Sequence, residues 1–375
     1  MSANKAKWVR LGEYIEQCDG RNIEGLYTLD DVRGVSIDKK LIFTKADMTD
    51  VLLVPYKLLK PNEFSYVSVT SRNGGKISLA INNTSQTFIV SSSYINFRSK
   101  DANDLLPEYL YLLLSRSEFD RYARFSSWGS ARETFDWEEL CRVRIPLPPP
   151  EVQQELVDTY NGLKSLAEQN EALIEPLSKA CEAFVSDCQS KYPQEELGKY
   201  IEVFDKRNTD GNDYLFYGIN KDKTFMPTVA DTNNLDSSII KVVNKGDFVF
   251  SGMQTGRDIC IRIALYNDIQ PIIISPAYTT FKIKDETLII PQYLFLQFKR
   301  FEMDRYGWFL SDGSIRSNLE WERFCNIRIP LPSIEVQQSI VNLYNCMEEA
   351  KRIASEAREQ LKTLCPALIQ RAANS

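Results

Sequence analysis

The sequence predicts an α+β protein of two tandem mixed α/β domains, each followed by a long helix, with the two helices packed as an antiparallel coiled coil in a pseudo-two-fold arrangement. Three observations predict it. A long segment recurs at a fixed distance, β-like runs give way to helical spacing within each copy, and each copy ends in heptads.

The recurrence is plainest where "CRVRIPLPPPEVQQ" at 141 meets "CNIRIPLPSIEVQQ" at 325, an offset of 184 residues. Between 129 and 154, 15 of 26 positions are identical to their partners. The same offset pairs "PEYLYLLL" at 107 with "PQYLFLQF" at 291, "FDRY" at 119 with "MDRY" at 303, and "KISLAI" at 76 with "CIRIAL" at 260. With a two-residue slip, "RLGEYIE" at 10 meets "ELGKYIE" at 196. The 375 residues are thus two copies of one unit, and a period this long lies far outside the 20–50 residues of solenoid repeats. Two joined copies predict an internal two-fold relation that mimics a homodimer.

Each copy opens with β-branched or alternating runs separated by Gly, Asn, Asp and Pro: "LIFTKADM", "FSYVSV", "KISLAI" and "TFIVSSSYINF", then "KVVNKGDFVF", "CIRIALY" and "PIIISPAYTTFKI". A helix follows Pro107 or Pro291, where proline suits the first turn, and "EYLYLLLSRSEFDRY" continues with helical spacing. In "RVRIPLPPP", Val143 and Ile145 alternate along a short strand that the prolines end. Glu151 and Glu335 then begin helices, their charge favourable in a first turn.

Leu156, Leu163, Asn170, Leu177 and Phe184 recur every seventh residue in the first helix, with Leu166, Leu173 and Ala180 at the intervening apolar positions. The second helix carries Ile340, Met347, Ala354, Leu361 and Leu368 with Leu343, Ala350, Ala357 and Leu364. Asn170 on the seam resembles the polar residue that fixes register in coiled coils. About 35 residues of helix would span on the order of 50 Å, a spacer between two domains. Pro176 and Pro366 each predict a kink or an end. A dimer seam or an intrachain clamp would produce the same heptads.

Polar loops between the β runs hold side chains suited to base edges: Arg72, Asn73 and Lys76 in "TSRNGGK", and Gln254, Thr255 and Arg257 in "GMQTGRD". Arg pairs with guanine and Asn or Gln with adenine through two hydrogen bonds. An ordinary solvated hairpin has the same composition. A second pair of loops shares Gly129 with Gly313, Ser130 with Ser314 and Arg132 with Arg316, a set able to hold a phosphate or simply to shape a turn. Arg116, Arg121, Arg124, Arg142, Arg144, Arg300, Arg305 and Arg328 are further phosphate candidates.

Composition narrows the chemistry. The chain has no histidine, which removes His-based triads, His general bases and His-containing zinc sites. The eight cysteines form no CxxC pair and read as reduced core residues, and no metal site is expected. No nucleotide-binding glycine motif is present, and the isolated carboxylates have no spacing that selects a catalytic site. A net charge of -6 gives no long-range pull toward DNA, although local patches or an assembly could supply one. No apolar run approaches a membrane span and the opening "MSANKAKWVRLGEYI" lacks a secretory h-region, so cytoplasmic residence is expected.

A domain that closes with "IPLPP.EVQQ", runs into a long helix and is repeated once resembles the specificity subunit of type I restriction-modification systems. The resemblance implies target-recognition domains at 1–150 and 189–334 and spacer helices at 151–188 and 335–375. It implies a non-catalytic subunit that binds double-stranded DNA, each recognition domain taking one half of a bipartite target. Two methyltransferase subunits and the restriction/translocation subunits would be its partners. No cofactor is expected on this chain: S-adenosylmethionine belongs to the modification subunit, and ATP with Mg to the restriction subunit. The family transfers no list of base-reading residues, so the loop residues above rest on their own chemistry. The specificity component of a modification-only complex would read the same way. A tandem structural or interaction module, dimerised through its helices and not binding DNA by sequence, is the alternative.

Overall fold

A computed structural model describes residues 7–44, 46–70, 75–129, 133–209, 212–228, 239–253, 255–313 and 317–374, without the side chains of 256, 257 and 364–374. The chain divides into two compact units, one of Met1–Glu168 with Ile353–Ser375 and one of Gln169–Arg352. Each unit therefore contains one α/β domain together with parts of both long helices.

In the first unit, Lys7–Arg10 pairs antiparallel with Arg144–Leu147, placing Val9 opposite Ile145. A four-stranded sheet follows in the order Ile15–Cys18, Ile95–Ser99, Phe64–Tyr66, Leu79–Ile81. The ladders Arg33–Val35 with Leu41–Phe43 and Lys57–Leu59 with Phe88–Val90 meet through a parallel bridge between Val32 and Ile89. Helices Pro107–Leu114, Ser117–Phe125 and Trp137–Arg142 complete the domain.

The second unit repeats this plan. Gln194–Glu196 pairs with Arg328–Pro330, and the main sheet runs Ile201–Phe204, Thr279–Ile283, Phe248–Ser251, Arg262–Leu265. Here the smaller ladders join into a four-stranded sheet of Phe225–Pro227, Phe216–Ile219, Ile272–Ile274 and Lys241–Val243. Its helices are Pro291–Phe298, Phe301–Leu310 and Trp321–Cys325. Phe64 stacks on Phe97 at 4.8 Å, and 184 residues later Phe248 stacks on Phe281 at 4.8 Å, so the centre of the core is itself duplicated.

Local differences from the sequence reading have simple causes. The runs "TFIVSSSYINF", "KVVNKGDFVF" and "PIIISPAYTTFKI" each hold two strands, because Ser91–Tyr94, Asn244–Asp247 and Ser275–Tyr278 close turns inside them. The helical run after Pro107 is two helices, broken at Ser115 and Arg116. Pro146 sits within a strand that has only one partner, so its missing N–H leaves no ladder bond unmade.

The repeated prolines and "EVQQ" acquire a structural reason. Gln153 is fully buried; its Oε1 accepts from Leu106 N at 3.0 Å, and its Nε2 donates to Asp104 O at 2.8 Å and Pro148 O at 2.9 Å. Gln337 makes the same three bonds to Ile290 N, Leu288 O and Pro332 O, each at 2.9 Å. One amide thus ties the start of each long helix to the start of the domain's first full helix. Tyr109 and Tyr293 add to the joint, their hydroxyls donating at 2.9 Å to Pro146 O and Pro330 O. The repeated cysteine is packed as tightly: a Cβ on Gly12 would lie 2.6 Å from Cys141 Cβ, and one on Gly198 would lie 3.0 Å from Cys325 Cβ. Burial raises the thiol pKa of Cys141 and Cys325, as expected of packing residues rather than nucleophiles.

The long helices run Pro150–Lys191 and Ile334–Asn374, so neither Pro176 nor Pro366 ends its helix. Pro176 is on the exposed side, so the Ala172 carbonyl that loses its partner is open to solvent. Within the second unit the helices are antiparallel: Cys188 and Lys191 line one groove with Val336 and Ile340, while Ser178 and Cys181 line another with Tyr344 and Met347. Ile340, Met347, Ala350, Ala354 and Ala357 are buried, and Leu361 is partly buried. Leu368 lies outside the described side chains. In the first helix Leu156, Leu163, Asn170 and Leu177 are half-buried, whereas the buried apolar positions are Val157, Ala167, Cys181, Val185 and Cys188. The buried stripe therefore runs one residue later than the leucine heptads, with small side chains on it. Leu166, Leu173 and Phe184 stay 44%, 51% and 57% exposed.

Candidate nucleic-acid interface

In each domain the loop that carries the predicted base-reading residues ends on an isoleucine held at both its peptide groups. Lys39 Nζ donates to Ile77 O at 2.7 Å, Asp120 Oδ1 accepts from Ile77 N at 3.1 Å, and the two side chains form a buried ion pair at 2.6 Å. The second copy repeats the arrangement. Lys223 Nζ donates to Ile261 O at 2.9 Å, Ile261 N donates to Asp304 Oδ1 at 2.9 Å, and Lys223 pairs with Asp304 at 2.7 Å. Both lysines have a left-handed backbone, at φ 61° in each case. Burial lowers the pKa of Lys39, with the Asp120 carboxylate opposing that shift.

A second set of bonds joins the two candidate loops of each domain, which lie more than fifty residues apart in sequence. In the first unit Phe135 N donates to Ser68 O at 2.8 Å, Thr70 N donates to Glu133 O at 2.9 Å, and Thr70 Oγ1 donates to Ser127 Oγ at 2.8 Å. In the second, Leu319 N donates to Gly252 O at 2.8 Å, and a Cβ on Gly252 would lie 2.0 Å from Leu319 O. The "TSRNGGK" loop and the Gly-Ser-x-Arg loop thus leave the same place in the domain. So do their counterparts.

Of the predicted site residues, Lys76 is exposed beside this root. Thr255 is fully buried, its hydroxyl donating to Gly252 O at 3.0 Å, so it shapes the loop rather than facing outward. Arg257 belongs to the short helix Thr255–Asp258, but its side chain lies outside the described residues. Arg72, Asn73, Ser130, Arg132, Gln254, Ser314 and Arg316 also lie outside them. Among the further arginines, Arg116, Arg121, Arg124, Arg142, Arg305 and Arg328 each stand beside a carboxylate, and burial lowers the pKa of Arg300. Arg144 is exposed. Among the described residues no group of His, Cys, Asp or Glu could hold a metal ion, and no helix is long and apolar enough to cross a membrane.

The sequence reading missed Lys39, Asp120, Lys223 and Asp304 as the anchors of the loops. The signal was available: they are identical polar residues at matching positions of two diverged copies.

Residues 40–176 match the family model of the type I restriction modification DNA specificity domain. The fold resembles the crystal structure of the type I restriction-modification system S subunit from M. genitalium, with a TM-score of 0.58 at 14% identity, covering 99% of this chain and 97% of that one. The family match lies within the first copy, and the likeness to the M. genitalium subunit is one of fold. The HsdS subunit from Thermoanaerobacter tengcongensis aligns over 98% of this chain and 96% of its own, at 19% identity and a TM-score of 0.40. No curated protein matches the sequence.

Proposed function

We propose that the chain is the DNA-reading subunit of a type I restriction-modification complex, with each domain reading one half of a bipartite target. Residues 1–150 and 189–334 are the two recognition domains, and 151–188 and 335–375 are the helices that set the gap and dock two methyltransferase subunits. Methyl transfer from S-adenosylmethionine, and ATP- and Mg-dependent translocation and cleavage, belong to the modification and restriction partners. The complex acts on cytoplasmic DNA.

One observation carries the reading. Both domains anchor a polar loop by the same Lys–Asp pair, yet "TSRNGGK" and "GMQTGRD" differ, as two readers of unlike half-sites should. Arg72, Asn73, Lys76, Gln254, Thr255 and Arg257 are assigned to these reading loops, with Thr255 supporting its loop from beneath. Ser130, Arg132, Ser314 and Arg316 are assigned to the phosphate backbone.

Methylome mapping with and without the gene identifies the target. Binding of the chain with its methyltransferase subunit is then measured on duplexes carrying that bipartite site and on scrambled controls at stated salt. Discrimination of at least about a thousandfold is expected for a specific reader. Equal binding to both duplexes would sink the proposal.

A further inference from the structure

Helices Ser117–Phe125 and Phe301–Leu310 occupy equivalent places in the two copies and bury one side each. Phe119, Asp120 and Ala123 face inward in the first, and Met303 and Gly307 in the second. The outward side of the first carries Glu118, Arg121, Tyr122 and Phe125, at i, i+3, i+4 and i+7 along one helix face. Glu302, Arg305, Tyr306 and Phe309 occupy the matching positions of the second. Glu118, Arg121, Tyr122 and Phe125 are the same in both copies, as is the inward Asp120 with Asp304, whereas exposed Ser117 and Arg124 have become Phe301 and Trp308, and inward Phe119 and Ala123 have become Met303 and Gly307.

One exposed stripe is thus kept while the apolar positions packed beneath it change, and packing alone would favour the opposite. Phe125 is 89% exposed and Phe309 is 78% exposed, so packing within the unit does not account for keeping either ring. Tyr122 and Tyr306 remain 38% and 41% exposed. Something outside the chain that is common to both copies accounts for the identity.

The bases of two unlike half-sites are not common to both copies. The DNA backbone is, and so is a protein bound twice. Charge decides between them. Arg121 lies 3.6 Å from Glu118 and Arg305 lies 3.1 Å from Glu302, so a phosphate approaching either arginine would meet a carboxylate. Exposed Phe and Tyr beside Arg are instead the residue types that anchor protein interfaces.

We propose that this Glu-Arg-Tyr-Phe face docks a protein subunit that binds the chain in two copies, one on each domain. Resting on the function proposed above, that protein is the methyltransferase subunit. The contact is additional to the one on the long helices. The partner supplies an apolar socket for Phe125 or Phe309, with a basic group opposite the glutamate and an acidic group opposite the arginine.

The test uses the full chain with its methyltransferase subunit, reading stoichiometry by native mass spectrometry and affinity by titration. Phe125→Ala, Phe309→Ala and the double variant are compared with wild type, with Arg121→Glu as a charge-reversed second probe. All these side chains are exposed, so thermal melts should be unchanged. Each single phenylalanine variant should weaken one of the two sites by about 30-fold or more and accumulate a 1:1 complex where wild type forms 2:1. Arg121→Glu should weaken the same site as Phe125→Ala. A double variant that assembles as well as wild type overturns this inference and leaves the DNA-reading proposal standing. Unchanged assembly with lost duplex binding also overturns it, assigning the face to DNA. A wild-type chain that binds no methyltransferase subunit overturns both.

Discussion

Lys39 Nζ lies 2.6 Å from Asp120 Oδ1 across 81 residues of sequence, and both groups grip the peptide of Ile77. Lys223 and Asp304 do the same for Ile261. A buried ion pair contributes little net stability compared with apolar side chains of like volume, yet losing one partner leaves a charge stranded. The pair is thus better understood as fixing where a loop begins than as a source of stability. Asp120→Ala should cost about 3–5 kcal/mol in denaturant melts. Lys39→Met with Asp120→Leu removes the stranded charge but leaves the Ile77 N–H and C=O without these partners, so it should recover only part of that while losing discrimination at the half-site read by the first domain. Retained discrimination in the double variant would show that the pair does not position the loop.

The same pair sets a pH dependence. Burial already holds the Lys39 pKa below the ordinary lysine value of 10.5, and Asp120 is the group that pulls it back up. Without Asp120 the folded-state pKa falls further. Between that lowered pKa and 10.5 the folded state binds fewer protons than the unfolded state, so stability rises with pH across that window. Asp120→Ala should therefore melt at a higher denaturant concentration at pH 9 than at pH 7, relative to wild type. A difference that stays constant with pH would argue against a buried lysine there.

Gln153 and Gln337 predict paired effects at the two joints. Replacing either by Ala leaves the N–H of Leu106 or Ile290 buried without its acceptor, at a cost of about 1–3 kcal/mol. Gln154 and Gln338 make only exposed bonds to Asp158 and Asn342, and their Ala variants should change melting little. Equal effects at 153 and 154 would contradict the joint.

Gly12→Ala places a Cβ 2.6 Å from Cys141 Cβ, whereas Gly198→Ala meets Cys325 Cβ at 3.0 Å. Overpacking of this kind costs about 1–3 kcal/mol, and the first variant should lose more than the second. Cys141→Gly should rescue Gly12→Ala, because it removes the atom that is struck, while Cys141→Ala should not. Thermal melts of the four variants distinguish these outcomes.

Exchanging residues 1–150 for another recognition domain should change one half of the methylated target. Adding one heptad to each long helix should lengthen the gap between halves. Methylome mapping reads both results. A swap that changes both halves would contradict modular reading, and an unchanged gap would contradict the spacer role.

By itself the sequence determined the duplication, the order of domain and helix, and the apolar cores. These are carried by repeated words and by local periodicity, as "RIPLP" followed by "EVQQ" shows. The fold class followed because two copies of a β-rich run ending in heptads leave few other arrangements. Tertiary structure decided what local pattern does not encode. It brought Thr70 to Glu133, and Lys39 to Asp120, so that the two loops of a domain share one root. It also placed the buried stripe of the first long helix on Val157, Ala167, Cys181 and Cys188, although the heptads of larger leucines run one residue earlier. The physical reason is the same in each case. Hydrophobic spacing marks which side chains can be buried, but which ones are depends on the surfaces that long-range contacts bring against them.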